Sequence, residues 1–280
     1  MQSAMRSLAA SALLFIALCG AARAEIMSGD NPEASPIWQK VRASLFQSRP
    51  IKTVGDDVMS FDVPLRAEDS AIVPISIKTR FPQTPARYID KVYVIIDNNP
   101  SPIAAIFQFT ALSGQADIET RVRIDEYTHI RAIAETNDGQ LHMVTRFLKA
   151  AGGCSAPPGK DAKAALATLG RMKFRVESDG AGASASGQPV LAQLMISHPN
   201  NSGLAMDQVS RLFTPAHFVR QVRITYGGQL VMSADIDFSI SENPNFRFYF
   251  LPRGDGELHA EVIDSNDLRF ESALKYRRSD

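Results

Sequence analysis

The residue of this sequence best suited to covalent chemistry is Cys154, which follows Gly152 and Gly153 and precedes the pair Pro157-Pro158. A thiol acts as a nucleophile or holds a group through a reversible bond to sulfur. An odd cysteine in an oxidising compartment is buried and inert, joined to another chain, or used for such chemistry. Residues 151–159 contain no apolar side chain larger than Ala or Pro to cover the sulfur. We therefore expect an exposed arm, made flexible by its two glycines.

The N-terminus has the pattern of a secretory signal peptide. Arg6 supplies the positive region, Leu8 to Leu18 form the apolar core, and Ala22-Arg23-Ala24 is a small-x-small cleavage site. The apolar stretch is shorter than the roughly 20 residues that span a bilayer, which argues against a membrane anchor. The sequence therefore predicts an exported protein that begins near Glu25, and the second cysteine, Cys19, leaves with the leader.

Charge and composition exclude several classes of partner. Lysine plus arginine and aspartate plus glutamate each number 30, and removal of Arg6 and Arg23 with the leader leaves a slightly acidic chain. Such a balance provides no field to attract nucleic acid or an anionic membrane. With one cysteine left, stability has to come from hydrophobic burial rather than disulfides.

The thiol must ionise to react, and an unperturbed cysteine with a pKa of about 8.5 is only slightly ionised at neutral pH. An Ala-rich segment from Lys160 to Leu169, ended by Gly170, predicts a short helix just beyond the cysteine. We expect the start of this helix, together with Lys149 or Lys160, to increase the thiolate fraction of Cys154.

The first block, residues 25–150, opens with a predicted helix that Ser35 caps and Pro36 begins, with apolar residues at Ile37, Val41 and Leu45. Short strands separated by turn residues follow, and Asn137-Asp138-Gly139 is the strongest hairpin signal among them. The predicted strands are 58–64, 71–79, 91–97, 104–110, 118–124, 129–135 and 141–148.

The second block, residues 189–280, follows a segment that contains the arm, the short helix and a low-complexity Gly/Ala/Ser linker at 179–188. It is again rich in short strands, with a hairpin turn at Gly227-Gly228. Phe246, Phe248 and Phe250 alternate as one inward strand face. The predicted strands are 189–197, 218–226, 229–238, 245–251, 256–264 and 268–275.

These patterns predict an all-β protein with a short N-terminal helix and two immunoglobulin-like β-sandwich domains joined by a flexible segment. The predicted organisation is a signal peptide at 1–24, one sandwich at 25–150, the arm and linker at 151–188, and a second sandwich at 189–280.

The second block resembles SoxZ, a carrier protein of thiosulfate oxidation. The resemblance rests on three landmarks in order, which are Ile196-Ser-His-Pro199 with Gly203, Pro215-Ala-His-Phe218, and Ser241-Glu-Asn-Pro244 before an aromatic strand. The first block resembles its partner SoxY through the signal peptide, the strand-rich body and the Gly152-Gly153-Cys154 arm.

The resemblance implies a periplasmic carrier and not an enzyme. Cys154 would hold a covalent sulfur adduct, Gly152 and Gly153 would let the arm swivel, and the two domains would pair within the chain. The arm differs from the SoxY pattern, because Ser155 and Ala156 replace trailing glycines and many residues follow. Fused chains of this kind resemble carriers associated with quinoprotein dehydrogenases, so the implied partners are sulfur-oxidation enzymes or a PQQ-dependent dehydrogenase and its cytochrome c.

Other functional signals are weak. His198 and His217 lie nineteen residues apart, which is not a metal-ligand spacing, and each stands beside a proline where an imidazole commonly fixes backbone by hydrogen bonding. We therefore expect no metal site and no cofactor. The sequence contains no nucleophile elbow, phosphate loop or dinucleotide fingerprint.

Two hypotheses of different classes follow. In the first, Cys154 carries a transferable group between redox enzymes. In the second, the chain is a noncatalytic assembly factor that docks onto a quinoprotein dehydrogenase or its cytochrome, and Cys154 is dispensable. A thiol oxidoreductase is disfavoured because no Cys-x-x-Cys pair is present.

Overall fold

The computed structural model describes residues 31–55, 57–81, 83–157, 162–177, 187–207 and 210–277. The predicted signal peptide and nearly all of the predicted linker lie outside the described residues. Within the described ranges, no helix combines the length and the apolar character needed to cross a membrane.

The predicted N-terminal helix is present as α1 (Pro36–Phe46), after a single 3-10 turn at Pro32–Ala34. The Ser35 hydroxyl accepts a hydrogen bond from the Trp38 backbone N–H at 3.2 Å, and this bond caps the helix as the sequence predicts. Trp38, Val41 and Phe46 are buried against one sheet. The helix is therefore part of the packed fold.

In the rest of the described chain the regular structure is β-strand, apart from one short helix and a 3-10 turn at Ala111–Ser113, which confirms the all-β class. The strands up to the arm are β1 (Ile51–Thr53), β2 (Met59–Asp62), β3 (Val73–Thr79), β4 (Ile89–Ile96), β5 (Ile103–Phe109), β6 (Ile118–Val122), β7 (Thr128–Thr136) and β8 (Leu141–Leu148). After the arm come helix α2 (Ala162–Ala167) and β9 (Met172–Val176), β10 (Val190–Ile196), β11 (Val219–Tyr226), β12 (Gln229–Ile236), β13 (Asn245–Phe250), β14 (Gly256–Asp264) and β15 (Arg269–Tyr276).

Both predicted hairpins form. Strands β7 and β8 pair antiparallel around the Asn137-Asp138-Gly139 turn, where Gly139 has φ +82°. Strands β11 and β12 pair around Gly227 and Gly228, with φ of +55° and +78°. A two-residue hairpin turn of this kind needs positive φ at both of its central positions, which explains the two glycines.

The two sequence blocks share their sheets. The nine-stranded sheet has the order β1-β8-β7-β4-β5-β12-β11-β14-β15, and the six-stranded sheet has the order β2-β3-β6-β13-β10-β9. Each block therefore contributes strands to both sheets, and the blocks join edge to edge through the pairs β5–β12 and β6–β13. This pairing covers edge strands that would otherwise present unpaired backbone groups.

The apolar core is continuous across this junction. One cluster contains buried residues from both sheets and both blocks, and the ring of Phe107 on β5 lies 6.0 Å from that of Phe246 on β13. Phe246, Phe248 and Phe250 are all buried, as their alternation predicts. The interior is therefore shared by the two blocks.

Two strands were not predicted, the short β1, which pairs parallel with β8 at the edge of the nine-stranded sheet, and β9. Strand β9 lies inside the segment expected to be arm, helix and linker, and it pairs antiparallel with β10 at the edge of the six-stranded sheet. The segment 151–188 is thus not flexible throughout, because Phe174 of β9 is buried in the core.

Candidate functional site: the Cys154 cradle

The arm, residues 149–157, runs along the body of the protein after β8. The Lys149 backbone N–H donates to the carbonyl of Leu65 at 2.9 Å, and the Ala67 N–H donates to the Lys149 carbonyl at 3.3 Å. These two bonds hold the root of the arm beside the loop that follows β2.

The two glycines of the arm are docked, which corrects the expectation of a free swivel in this state. The Gly152 N–H donates to the carbonyl of Asp125 at 2.7 Å, and the Gly153 N–H donates to the carbonyl of Ile124 at 2.8 Å. Gly152 has φ +80°, and a Cβ built there meets nothing within 4 Å. The strand-like pairing continues to Ser70, whose carbonyl accepts from the Ile124 N–H at 2.8 Å.

Gly153 is needed for close approach. A Cβ at this position would lie 2.1 Å from the Ser70 carbonyl oxygen and 2.7 Å from the Ile124 carbonyl oxygen. No side chain fits at such distances, so only glycine lets the arm reach this depth.

Cys154 is fully buried, with 0 % of its surface exposed, and it is a free thiol. The prediction that it would be exposed is wrong for this conformation. That prediction considered only the neighbours of Cys154 in sequence, which are small. The cover comes instead from residues distant in sequence, on the end of β6 and on a loop of the second block.

Burial is the main reason that the pKa of Cys154 is raised to about 12. The carboxylates of Asp125 and Asp237 also raise this pKa, while the guanidinium of Arg123 lowers it. The expected increase in the thiolate fraction is therefore wrong for the docked arm, and of the two lysines expected to assist it, Lys160 lies outside the described residues. A neutral, buried thiol is a poor nucleophile, so the docked state protects Cys154 from reaction.

This shift predicts an unusual pH profile for alkylation of the native protein. The docked arm keeps the proton of Cys154, and an undocked arm loses it above about pH 8.5, so rising pH favours undocking. The alkylation rate of a free thiol levels off near its own pKa of about 8.5. For the native protein we expect the rate with iodoacetamide to keep rising about tenfold per pH unit above pH 8.5, because the pH at which it levels off moves towards the raised pKa of docked Cys154.

The control for this profile is the same protein unfolded in urea, whose rate should level off near pH 8.5. A native rate that levels off at the same pH as the unfolded control would show that the thiol is already exposed.

The second block supplies one wall of the site. The Ser202 hydroxyl donates to the carbonyl of Cys154, and the Leu204 N–H donates to the Ser202 hydroxyl at 3.1 Å. We define the cradle as the residues that bind the arm around the thiol, namely Arg123, Ile124, Asp125 and Ser202. Because Ser202 belongs to the second block, the cradle exists only where the two blocks meet.

Asn200 holds the loop that carries Ser202. It is fully buried with φ +44°, its amide donates to the Ile240 carbonyl at 3.0 Å, and its side-chain oxygen accepts from the Val219 N–H at 2.9 Å. Its backbone carbonyl accepts from Arg123 at 3.2 Å. The loop is thereby connected both to the second block and to the cradle.

The three landmarks of the second block meet behind this loop. The Asn243 N–H donates to the His198 carbonyl at 2.8 Å, and Asn201 pairs with His217 through two backbone hydrogen bonds. Gly203 has φ +86°, and a Cβ there would lie 3.1 Å from Ala216. The landmarks therefore build the support of the cradle.

His198, His217 and Asp264 also come together, which sequence spacing did not reveal. Their potential ligand atoms lie within 4.8 Å of one another. Asp264 Oδ2 is 2.7 Å from Nε2 of His217 and 3.5 Å from Nε2 of His198, and Asp264 Oδ1 accepts from the N–H groups of Asn266 and Leu268. Asp264 was missed because an aspartate at a strand end carries no distinguishing sequence signal.

Hydrogen bonding argues that this cluster is a brace. The Asn200 N–H donates to Nδ1 of His198 at 3.1 Å, so the neutral ring carries its proton on Nε2, the atom a metal would need. Burial and the neighbouring His217 lower the pKa of His198 to about 4, which keeps the ring neutral at pH 7. The interpretation that His198 fixes backbone is confirmed.

Family comparison agrees with this division of the chain. The family model "Sulfur oxidation protein SoxY" matches residues 42–154, and "Sulphur oxidation protein SoxZ" matches residues 179–275. The chain belongs to the SoxYZ family of sulfur-oxidation carriers, as a fusion of the two proteins. The first block is therefore the SoxY domain and the second block the SoxZ domain, and members of this family are carriers rather than enzymes.

Solved structures include partial matches at low identity. The sulfur carrier protein SoxY from Chlorobium limicola f thiosulfatophilum is 20% identical, with 41% of this chain and 91% of that chain covered and a TM-score of 0.34. A superoxide reductase (neelaredoxin) from Ignicoccus hospitalis is 13% identical, with 35% of this chain and 94% of that chain covered and a TM-score of 0.31. No curated protein matches the sequence.

The SoxY match ends at Cys154 itself, and the arm docks partly on the SoxZ domain. Sequence reasoning found the cysteine, the glycines and the landmarks, but it missed Arg123, Asn200 and Ser202. Asn200 and Ser202 lie inside the first landmark, but no local pattern shows that they and Arg123 bind the arm, because that role depends on contacts between the two domains.

Proposed function

We propose that this protein is a periplasmic carrier that holds a sulfur-containing group as a covalent adduct on Cys154 and presents it to partner redox enzymes. One observation carries the proposal. The SoxY match ends at Cys154, which is the free cysteine of the described chain, on an arm with two glycines before the thiol.

Loading requires the arm to leave the cradle, because the docked thiol is buried and protonated. Joining Cys154–SH to a sulfur compound R–SH forms Cys154–S–S–R and releases two protons and two electrons. The electrons pass to a partner redox protein of the cytochrome c class. Release of the cargo then needs an enzyme that oxidises or hydrolyses the adduct, which fits a carrier without catalytic groups of its own.

Two sets of partners fit this proposal. The family supports sulfur-oxidation enzymes, and the fusion with its altered arm supports a PQQ-dependent dehydrogenase and its cytochrome c. The predicted signal peptide supports export to a compartment that either set could share. The SoxY and SoxZ domains serve as permanent partners within one chain.

The test is the intact mass of the mature protein purified from its native host without reductant, and again after reduction. We expect a reducible mass increment that maps to Cys154 and that the Cys154→Ser variant lacks entirely. The mass of the increment identifies the cargo. An unmodified thiol during growth on the relevant substrate, or an increment that persists in the variant, would contradict the proposal.

The second candidate, a noncatalytic docking factor, is favoured by a different observation. Cys154 is buried as a core residue, while Leu212 and Phe213, which are consecutive in sequence, are exposed, Leu212 to 70%. Exposed apolar side chains mark protein contacts when they lie together. If this candidate is correct, Cys154→Ser keeps full activity of the partner system in the native host, whereas Leu212→Glu with Phe213→Glu lowers it.

A further inference from the structure

Arg123 is an unusual residue in the cradle, because it is a buried cation that binds only backbone. It is 4% exposed, its Nη1 donates to the Gly153 carbonyl at 3.4 Å, and its Nη2 donates to the Asn200 carbonyl at 3.2 Å. Its Nε lacks a hydrogen-bond partner. Within the described ranges, no carboxylate forms a salt bridge with this guanidinium.

Such an arrangement is energetically expensive. A buried charge is normally paired with an opposite charge, since removal from water costs several kcal/mol. Burial accordingly lowers the pKa of Arg123, and the charges of Glu242 and Asp69, neither of which forms a salt bridge with it, offset this in part. A neutral hydrogen-bond donor could satisfy two backbone carbonyls. The presence of a charged, forked arginine at this position therefore needs a further explanation.

The two carbonyls that Arg123 binds, those of Gly153 and Asn200, belong to different parts of the chain. Gly153 is the arm residue bonded directly to Cys154, and Asn200 supports the SoxZ loop that carries Ser202. A single planar guanidinium thus connects the arm, the SoxY strand end and the SoxZ domain at one point. The backbone of Arg123 is itself fixed, since its N–H donates to the Ser239 carbonyl at 2.7 Å and its carbonyl accepts from Asn99 at 2.8 Å.

We propose that Arg123 is the positioning residue of the carrier arm, a clamp that bridges the Gly153 and Asn200 carbonyls and sets how often the arm opens to expose Cys154. Opening breaks the bond from Arg123 to Gly153, the bond from Ser202 to Cys154 and the two backbone bonds that hold Gly152 and Gly153 in the cradle, and closing restores them. The SoxZ domain therefore does more than pair with SoxY, because it holds the second end of the clamp.

The test is the rate at which iodoacetamide alkylates Cys154 in the folded protein. Arg123→Ala removes a charged hydrogen-bond donor from the arm, and we expect the rate to rise by about 10- to 100-fold. Arg123→Lys keeps the charge but offers no planar fork, so the rate should be intermediate. Arg121→Ala is the matched control, because Arg121 lies two residues earlier and contacts Asn243 instead of the arm.

Urea separates clamp opening from general destabilisation. Local opening exposes little surface, so the rate in Arg123→Ala should depend only weakly on urea below the unfolding transition. The proposal is overturned if Arg123→Ala reacts at the wild-type rate, if Arg121→Ala reacts as fast, or if the increase follows global unfolding. If Arg123→Ala does not fold, Arg123→Lys decides by the same comparison.

The proposal that Arg123 controls opening of the arm rests on the proposed function in one respect only, namely that opening serves to load and release a cargo on Cys154. Alkylation measures opening itself, whereas intact mass measures the cargo. A clamp without cargo and a cargo without a clamp are therefore distinguishable results.

Discussion

Gly153→Ala is expected to expel the arm from the cradle and to raise the alkylation rate of Cys154 at neutral pH by about 100-fold or more. The added methyl would lie 2.1 Å from the Ser70 carbonyl oxygen and 2.6 Å from its carbon, which are backbone atoms that cannot move aside like a flexible side chain. Overpacking of this kind costs about 3 kcal/mol or more, and undocking the arm relieves it.

Gly152→Ala is the matched control for this variant. Its methyl meets nothing within 4 Å, but its φ of +80° strains any residue other than glycine, by about 1–2 kcal/mol. We therefore expect a rise of only about tenfold. Circular dichroism and urea unfolding should show that both variants retain the fold. Equal rates in Gly153→Ala and wild type would mean that the arm does not dock as described.

The second large effect concerns the buried ion pair beneath α1. Asp97→Ala is expected to lower the free energy of unfolding by about 3–5 kcal/mol. Arg131 is fully buried, and its Nε and Nη2 bind the two oxygens of Asp97 at 2.9 and 2.8 Å. Its guanidinium also lies 4.3 Å from the ring of Trp38. Removal of Asp97 leaves this charge buried without its main partner.

Urea unfolding measures the loss, and Arg220→Ala is the control, because it breaks an exposed ion pair without placing an alanine at the φ +62° of Asp267. Asp267 also binds an arginine, Arg220, at 2.9 Å, but its side chain is 81% exposed. Surface ion pairs contribute about 0–1 kcal/mol, so this variant should stay close to wild type. A loss for Asp97→Ala no greater than that of the control would show that Arg131 finds other partners when Asp97 is absent.

The fusion of the two domains bears on both the site and the stability. Because β5 pairs with β12 and β6 pairs with β13, the SoxY and SoxZ domains cannot separate without breaking two sheets. The sheets therefore hold the SoxZ side of the cradle in place, against which the proposed opening of the arm would occur. This division between a fixed support and a moving arm suits a carrier.

The sequence determined the elements whose signals are local. Strand alternation identified β13 and its inward phenylalanines, the Asn-Asp-Gly and Gly-Gly turns identified two hairpins, and Ser35 with Pro36 identified α1. Such features depend on residues within a few positions of one another, so each can be recognised without its surroundings. The same holds for the arm, because a cysteine after two glycines is visible as a motif.

Only the tertiary structure decided the state of that motif. The neighbours of Cys154 in sequence are too small to bury it, yet the thiol is buried in an arm that hydrogen-bonds Ile124, Asp125 and Ser202 from distant parts of the chain. The edge pairing of the two domains, the unpredicted strand β9 and the contacts of Arg123 are likewise long-range. The alternation of apolar residues shows which face of a strand is buried, but it does not show which residues cover that face. The docked, protonated state of Cys154 therefore follows from packing between the two domains rather than from local sequence.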